Sequence, residues 1–176
     1  DAMTEEAAFR LVTRRGNVEF REYAEHVLAS VSVSGTFESA PSVGFRPLVG
    51  YISGENRENT QLAMTAPVFH EAASDSSHVI SFVLPNGTTQ VPDPMRQGVT
   101  THVVPALTVA AIRFTGGWNT QRARGYESRL LRQLSEWGID PVGATLFARY
   151  DPPWKPGFLR RNEVLVPINS SDVPSN

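Results

Sequence analysis

Apolar residues recur with helical spacing in the first half of the chain, within Gly44–Val68. In a helix with about 3.6 residues per turn, positions i, i+3, i+4 and i+7 share one face. Those positions hold Phe45, Leu48, Val49 and Ile52. Because Pro47 fits a helix best in its first turn, we expect the helix to begin within residues 42–46 and to stop at Gly54. Its apolar face is either ordinary core or part of the lining of a ligand groove.

Alternation of apolar and polar residues predicts most of the remaining elements as strands with one buried face. The predicted strands cover residues 9–12, 18–23, 27–35, 62–71, 78–84, 99–104, 107–115, 145–150 and 162–168. Pro67 interrupts one of them, which indicates a sheet edge or a bulge. A second helix is predicted from a cap at Asn119 or Thr120 to Trp137. Its helically spaced apolar residues are Ala123, Tyr126, Leu130, Leu131, Leu134 and Trp137.

The order of these elements is the same in the two halves of the chain. Each half runs strand, helix, strand, strand, and short echoes such as Phe82–Pro85 beside Val164–Pro167 support the correspondence. We therefore expect an α+β fold in which two such repeats form one strongly curved antiparallel sheet with two helices packed on it. A cleft between the halves would be a usual place for a small-molecule site.

The composition indicates one soluble globular domain and excludes several kinds of chemistry. The chain has 176 residues, 40% of them hydrophobic, and a formal net charge of −2. There is thus no basic excess to suggest nucleic acid or an anionic membrane as a partner. The absence of Cys excludes thiol catalysis, disulfides and Cys-ligated metals. No apolar run approaches the ~20 residues needed to cross a bilayer. We expect a monomer, either cytoplasmic or, after loss of a signal peptide, extracytoplasmic.

Motifs for enzymatic chemistry or metal binding are absent from the sequence. It contains no Gly-x-Ser-x-Gly, no P-loop and no Gly-x-Gly-x-x-Gly, and its four His show no metal-ligand spacing. Carboxylates recur near strand ends, at Glu19, Glu22, Glu71, Asp151 and Glu163. We interpret Glu163 as structural, paired with an Arg, and expect the protein to be non-catalytic.

Seven short motifs together resemble the SOUL haem-binding protein family over about Phe9–Ile168. They are Asn17–Tyr23, Gly44–Leu48, Tyr51–Asn56, Met64–Val68, Ser81–Pro85, Tyr150–Trp154 and Arg161–Val164. The resemblance implies a single domain over residues 9–168, with flexible tails at 1–8 and 169–176. It also implies a distorted antiparallel β-barrel with two helices, similar to bacterial effector-binding domains. Members of this family bind haem and other tetrapyrroles, which makes haem or a related porphyrin the expected cofactor.

A haem site needs an apolar slot for the macrocycle and cations near the propionates. The resemblance places the groove between the first helix and the loop after residue 152. The slot candidates are Leu48, Val49, Ile52 and Met64, with Trp154 and Phe158 on the loop. Lys155, Arg160 and Arg161 are the candidate propionate partners. The alternatives are a solvated loop for the cations, a loop anchored to the core for the aromatic residues, and core filling for Met64.

The axial ligand is the least supported part of this site. Some family members have a His where this chain has Glu22, so ligation there does not carry over. His70 is a weak candidate, because an even spacing would place it on the same face as Met64 if no bulge intervenes. We expect haem to be held mainly by hydrophobic contact, in a carrier, buffer or scavenger. The alternatives are a small-ligand sensor or partner-binding module, or an enzyme acting on a tetrapyrrole. The apolar face of the second helix, Tyr126 to Trp137, should be plain core.

Overall fold

The computed structural model describes residues 4–95, 98–117, 119–152 and 155–175. These ranges contain eleven strands, two α-helices and two 3-10 turns. The strands are β1 (Glu5–Glu6), β2 (Phe9–Arg15), β3 (Val18–Tyr23), β4 (His26–Ser34), β5 (Thr65–Ala66), β6 (Val68–Ala72), β7 (Ser77–Val83), β8 (Val99–Val104), β9 (Leu107–Thr115), β10 (Leu146–Arg149) and β11 (Arg161–Pro167). The helices are α1 (Ala40–Ile52) and α2 (Thr120–Glu136), and the turns are Gly157–Leu159 and Ser170–Asp172.

The chain divides into two compact units. The first unit comprises Asp1–Ala7 and Glu25–Pro105, and the second comprises Ala8–Ala24 and Ala106–Asn176. Within the first unit the strands pair antiparallel in the order β6-β7-β4-β8. Within the second they pair antiparallel in the order β2-β3-β9-β11-β10. The orders β4-β7-β6 and β9-β11-β10 correspond, and in each unit the helix follows the first of these strands. The predicted α+β class is confirmed.

Helix α1 lies unusually close to the sheet of the first unit at Gly44. A Cβ atom added there would lie 2.8 Å from Ile80 Cβ and 3.2 Å from Val31 Cγ1. The absence of a side chain therefore allows the helix to pack directly on β4 and β7. Leu48 and Ile52, on the same side of the helix, belong to the resulting core.

The sequence prediction for α1 was wrong in two details. The helix begins at Ala40, so Pro41 occupies its first turn and Pro47 lies inside it. A turn at Thr36–Ser39, in which each residue's backbone N–H donates to the other's hydroxyl, positions this earlier start. The buried face is also rotated from the predicted one, because Gly44 contacts the sheet and Phe45 remains 44% exposed. The predicted stop is confirmed by Gly54, whose φ is +113°.

Helix α2 packs on the sheet of the second unit as its spacing predicted. The Asn119 side chain accepts a hydrogen bond from the Arg122 N–H at 2.8 Å, which confirms the predicted cap. Ala123, Leu130 and Leu134 are buried, and the Tyr126 ring stacks on Phe114 with centroids 4.3 Å apart. No helix within the described ranges has the length and apolar character to span a membrane.

Two predicted segments are organised differently in the structure. The strand predicted for residues 62–71 is divided into β5 and β6, with a cis peptide bond between Ala66 and Pro67. The ends of the chain were predicted to be flexible tails, but each contains ordered structure. Strand β1 pairs in parallel with β5, and the Asn169 side chain caps the turn Ser170–Asp172. Hydrogen bonds between segments far apart in the sequence, such as β1 and β5, produce no local periodic pattern.

The close approach at Gly44 gives a stability prediction with an internal control. Gly44→Ala should destabilise the protein by about 1–3 kcal/mol, because the new methyl group overlaps Ile80 despite the better helix propensity of alanine. Gly125→Ala, in α2, should stabilise it by about 0.5–1 kcal/mol, since nothing lies within 4 Å of the added Cβ. Urea unfolding of both variants measures this difference. Equal effects of the two substitutions would contradict the packing described for α1.

Candidate functional site

The loop before β11 is organised by one carboxylate, Asp151. Its Oδ1 accepts a hydrogen bond from Lys155 Nζ at 3.0 Å, and its Oδ2 accepts one from the Arg161 backbone N–H at 2.5 Å. Arg160 Nε donates to the Lys155 carbonyl at 2.7 Å, which fixes the turn between them. Burial would raise the pKa of Asp151, but the Arg161 N–H and the Lys155 ammonium together lower it. The three predicted cations are therefore brought together at the start of β11 and in the residues just before it.

The turn Gly157–Leu159 on this loop presents two apolar side chains outward. Phe158 is 76% exposed and Leu159 is 50% exposed. Exposed large apolar side chains on an ordered turn are a common feature of binding surfaces. Phe158, a predicted slot residue, is thus accessible to solvent, and the other predicted aromatic residue, Trp154, lies outside the described residues.

Arg149 adds a further positive charge near Arg160. Arg149, at the end of β10, is half-buried and is repelled electrostatically by Arg160. Burial and then the nearby Arg160 lower the pKa of Arg149 to about 9, so the guanidinium stays charged at neutral pH. An anion placed between these two side chains would be favoured electrostatically.

The four predicted residues of the first unit fall into two groups. Leu48 and Ile52 are buried in the core beneath α1, where neighbouring side chains cover them. Val49 is half-buried and Met64 is 38% exposed, so these two retain accessible surface. The sequence did not single out Phe45 as accessible, although its exposed ring lies with its centroid 5.4 Å from that of Phe82.

A buried asparagine orders the connection between α1 and β5. Asn56 donates through Nδ2 to the carbonyls of Tyr51 and Thr60, at 2.9 and 2.7 Å, and its Oδ1 accepts from the Thr60 N–H. Beyond it, Arg57 and Met95 line a surface depression of about 530 Å³. The hydrogen bonds of Asn56 thus fix the polar segment between α1 and β5.

The predicted weak axial ligand, His70, lies in a buried histidine pair. Its Nε2 is 2.9 Å from His78 Nδ1, and His78 Nε2 is 3.1 Å from the Gly35 carbonyl. Since a carbonyl can only accept, His78 Nε2 carries a proton, and in neutral His78 the Nδ1 accepts from His70. The His70 ring also stacks on Phe37. The Ala66–Pro67 break separates Met64, which is exposed, from His70, which is fully buried.

The most deeply buried charges of the second unit form an Arg21–Glu163 pair. Arg21 is 1% exposed and Glu163 is inaccessible, and two parallel N–H···O bonds of 2.7 Å join them. Tyr150 donates its hydroxyl to Glu163 Oε1 at 2.8 Å, and Arg113 donates to Oε2 at 3.0 Å. Arg21 also donates to the Tyr23 hydroxyl at 2.9 Å. The prediction that Glu163 pairs with an Arg is confirmed.

Protonation in this network is controlled by the balance of burial and pairing. Burial alone would raise the pKa of Glu163, but the hydrogen bonds and charge of Arg21 and the hydrogen bonds of Tyr150 and Arg113 lower it below its ordinary value of 4.5. Burial and the adjacent Glu163 carboxylate raise the pKa of Tyr150. At neutral pH the network thus consists of a carboxylate, two guanidinium groups and neutral phenols. A carboxylate held this tightly is poorly suited to acid–base catalysis.

Within the described ranges, no group of three or more His, Asp or Glu side chains could hold a metal ion.

The sequence matches a known family over nearly its whole length. A family model described as SOUL heme-binding protein covers residues 4–167. The chain therefore belongs to the SOUL heme-binding protein family, as its motifs predicted. No curated protein sequence matches the chain.

Solved structures with the same fold have low sequence identity. The EcmrR C-terminal domain superposes with a TM-score of 0.68 at 14% identity, covering 86% of this chain and 96% of that domain. In an EcmrR–DNA complex the likeness covers 57% of the EcmrR chain. A hydrolase from Listeria innocua gives 0.59 at 9% identity, covering 90% and 94%. SAV2435 bound to tetraphenylphosphonium gives 0.53 at 7% identity, covering 88% and 95%. These likenesses concern the fold alone.

The buried ion pair yields a prediction about stability and its pH dependence. Glu163→Gln should cost about 3–5 kcal/mol at pH 7, because it removes the fully buried bidentate partner of the Arg21 guanidinium and leaves only the more exposed Glu19 as its counter-charge. The lowered pKa of Glu163 stabilises the fold fully above about pH 4.5 and progressively less as the pH falls through the folded-state value. The difference between wild type and Glu163→Gln should therefore shrink below pH 4.5. Chemical unfolding at a series of pH values measures it.

An exposed pair in the same unit provides the control for this experiment. Arg10→Ala removes the surface pair with Glu22, whose side chains are 65% and 45% exposed, and should cost less than about 1 kcal/mol. The double variant Arg21→Met with Glu163→Leu should be less destabilised than the sum of its single variants, since no charge is left buried. A Glu163→Gln cost no larger than that of Arg10→Ala would contradict the role given to the pair.

Proposed function

We propose that this protein binds haem or a related tetrapyrrole without catalysing a reaction, as a carrier, buffer or scavenger. The observation that carries the proposal is the match to the SOUL heme-binding family over residues 4–167. Each unit also presents accessible apolar residues, and the second unit presents cations beside them. Haem has a flat apolar macrocycle and two propionates, so it requires both kinds of contact.

On the second unit, Phe158 is the proposed contact for the macrocycle. Its side chain is 76% exposed on an ordered turn, so it can cover an apolar ring without unfolding the loop. Lys155, Arg160 and Arg161 are the proposed partners of the propionates. Asp151 orients Lys155 and Arg161, and a propionate would compete with it for their N–H groups. This competition favours modest affinity and exchangeable binding.

On the first unit, Val49 and Met64 are the proposed contacts, and Phe45 joins them. All three keep accessible surface, and the flexible thioether of Met64 can adapt to a flat ligand. Leu48 and Ile52 support this surface from the core rather than forming it. His70 is buried and engaged with His78, so binding without a strong protein axial ligand is the arrangement we propose.

The loop prediction is tested by hemin titration monitored through the Soret absorbance. Phe158→Ser should weaken binding about tenfold, from the lost apolar contact. Arg160→Glu combined with Arg161→Glu should weaken it by a similar factor, because attraction to the propionates becomes repulsion. Arg132→Glu, an exposed change on α2 outside the proposed contacts, is the charge control and should bind as wild type does. Equal affinity in every variant would exclude this loop as the binding surface.

The contribution of the first unit is tested with a matched pair of methionines. Met64→Ser should weaken hemin binding several-fold, from loss of about half of a buried side chain's apolar contact. Met95→Ser is the control, because Met95 is 64% exposed in the same unit and lies outside the proposed surface. If both substitutions change affinity equally, Met64 has no specific part in binding.

A second candidate is a small-ligand sensor, which the likeness in fold to EcmrR favours. EcmrR is described in complex with DNA, and SAV2435 is described with a lipophilic cation. Such a role for this chain would require a partner to transmit the signal. Absence of saturable hemin binding, together with saturable binding of tetraphenylphosphonium, would replace the haem proposal with this one.

A further inference from the structure

The net charge of −2 conceals opposite charges on the two compact units. The second unit contains 13 basic and eight acidic side chains, giving a formal charge of +5. The first contains three basic and ten acidic side chains, giving −7. The sequence-based statement that no basic excess suggests an anionic membrane refers to the average over the chain. A local excess of positive charge can attract an anionic surface even when the whole molecule is slightly negative.

Three of the 13 basic side chains of the second unit lie on one exposed side of α2, which they share with one acidic side chain, Glu136. Arg122, Arg129 and Arg132 are exposed, and their spacings of seven and three residues place them on one side of the helix. Arg129 and Arg132 form no ion pair within the described residues. By contrast, Arg124, on another side of α2, pairs with Glu127 at 2.8 Å. We refer to Arg122, Arg129 and Arg132 as the basic face of α2.

The basic face begins beside the exposed apolar turn of the same unit. A Cβ atom at Gly157 would lie 3.5 Å from Gly117 N, so the turn contacts the segment that leads into α2. The Arg122 side chain lies against Gly116, whose N–H donates to the Arg160 carbonyl at 3.2 Å. Cations and the outward-pointing side chains of Phe158 and Leu159 thus occupy one region of the second unit.

An anionic lipid bilayer satisfies both features of this region. Lipid phosphates and carboxylates attract arginines near the membrane surface, and the boundary between headgroups and acyl chains accepts exposed Phe and Leu side chains. A nucleic acid would satisfy the arginines but would give no favourable environment to Leu159. The acidic first unit of a second copy would also attract these arginines. Charge complementarity would not, however, account for burial of the apolar turn.

We propose that the second unit docks on anionic lipid bilayers through the basic face of α2, with Phe158 and Leu159 entering the interfacial layer. The inference stands on charge and exposure, and it goes beyond the proposed binding of haem. It shares only Phe158 with the proposed haem contacts, so the two proposals can be separated by the variants used.

Co-sedimentation of the ligand-free protein with lipid vesicles tests the proposal. Vesicles of phosphatidylcholine with about one-third phosphatidylserine should bind the protein at least about tenfold more strongly than phosphatidylcholine alone. Arg129→Glu with Arg132→Glu should reduce this binding about tenfold or more, and Leu159→Ser should reduce it several-fold. The control is Arg46→Glu with Arg57→Glu, which makes the same change in net charge on the first unit and should leave binding unchanged. Urea midpoints close to wild type should accompany all variants.

Several outcomes would overturn the proposal. Equal binding to neutral and anionic vesicles would show that the basic face does not determine vesicle binding. Equal loss of vesicle binding in the two double variants would show the same. Binding to duplex DNA but not to vesicles, or a concentration-dependent dimer abolished by Arg129→Glu with Arg132→Glu, would assign the face to another partner. Hemin titration of the same double variant should match wild type, so failure of the haem proposal cannot be mistaken for failure of this one.

Discussion

The buried Arg21–Glu163 ion pair is the constraint on which the second unit depends. It joins residues separated by 142 positions in the chain and links β3 to β11 across the sheet. Desolvating both charges is costly, and the cost is offset only because the contact is bidentate and Tyr150, Tyr23 and Arg113 complete the hydrogen bonds. A shifted register would break several of these contacts at once. The ion pair therefore specifies the register of the strands, and the polar groups of this network have a structural role.

The first unit is held together by a different constraint, the close packing of α1 on an apolar sheet. Gly44 allows that approach, and the core beneath it contains Leu48, Ile52 and Ile80. The surfaces that we propose as ligand contacts are separate from these two structural centres. They are the flank of α1 with Met64, and the ordered loop with Phe158. In both units, rigid buried contacts position a few accessible apolar side chains, an arrangement suited to binding without chemistry.

Periodic patterns predicted the fold well, because a strand or helix with one buried face repeats its apolar residues at a regular local spacing. Contacts between residues far apart in the sequence produce no such spacing. The earlier start of α1 depends on the turn before it and on sheet packing, which override the local preference of Pro47. The partner of Glu163 could be predicted as an Arg, but nothing local identified Arg21. For the candidate site, the motifs predicted a loop whose residue Phe158 is exposed, whereas periodicity could not tell buried Leu48 from half-buried Val49. The net charge is an average over the chain and does not show the opposite formal charges of its two units.

The central claim is that the protein holds a tetrapyrrole by apolar contact and propionate pairing, with little contribution from iron ligation. The most direct measurement compares the affinities of hemin and metal-free protoporphyrin by equilibrium titration of the same protein sample. We expect saturable binding of both, with dissociation constants within about threefold of each other, since a factor of ten would correspond to about 1.4 kcal/mol from the metal. Saturable binding of hemin with none of the metal-free porphyrin would contradict this account, and so would the absence of binding for both.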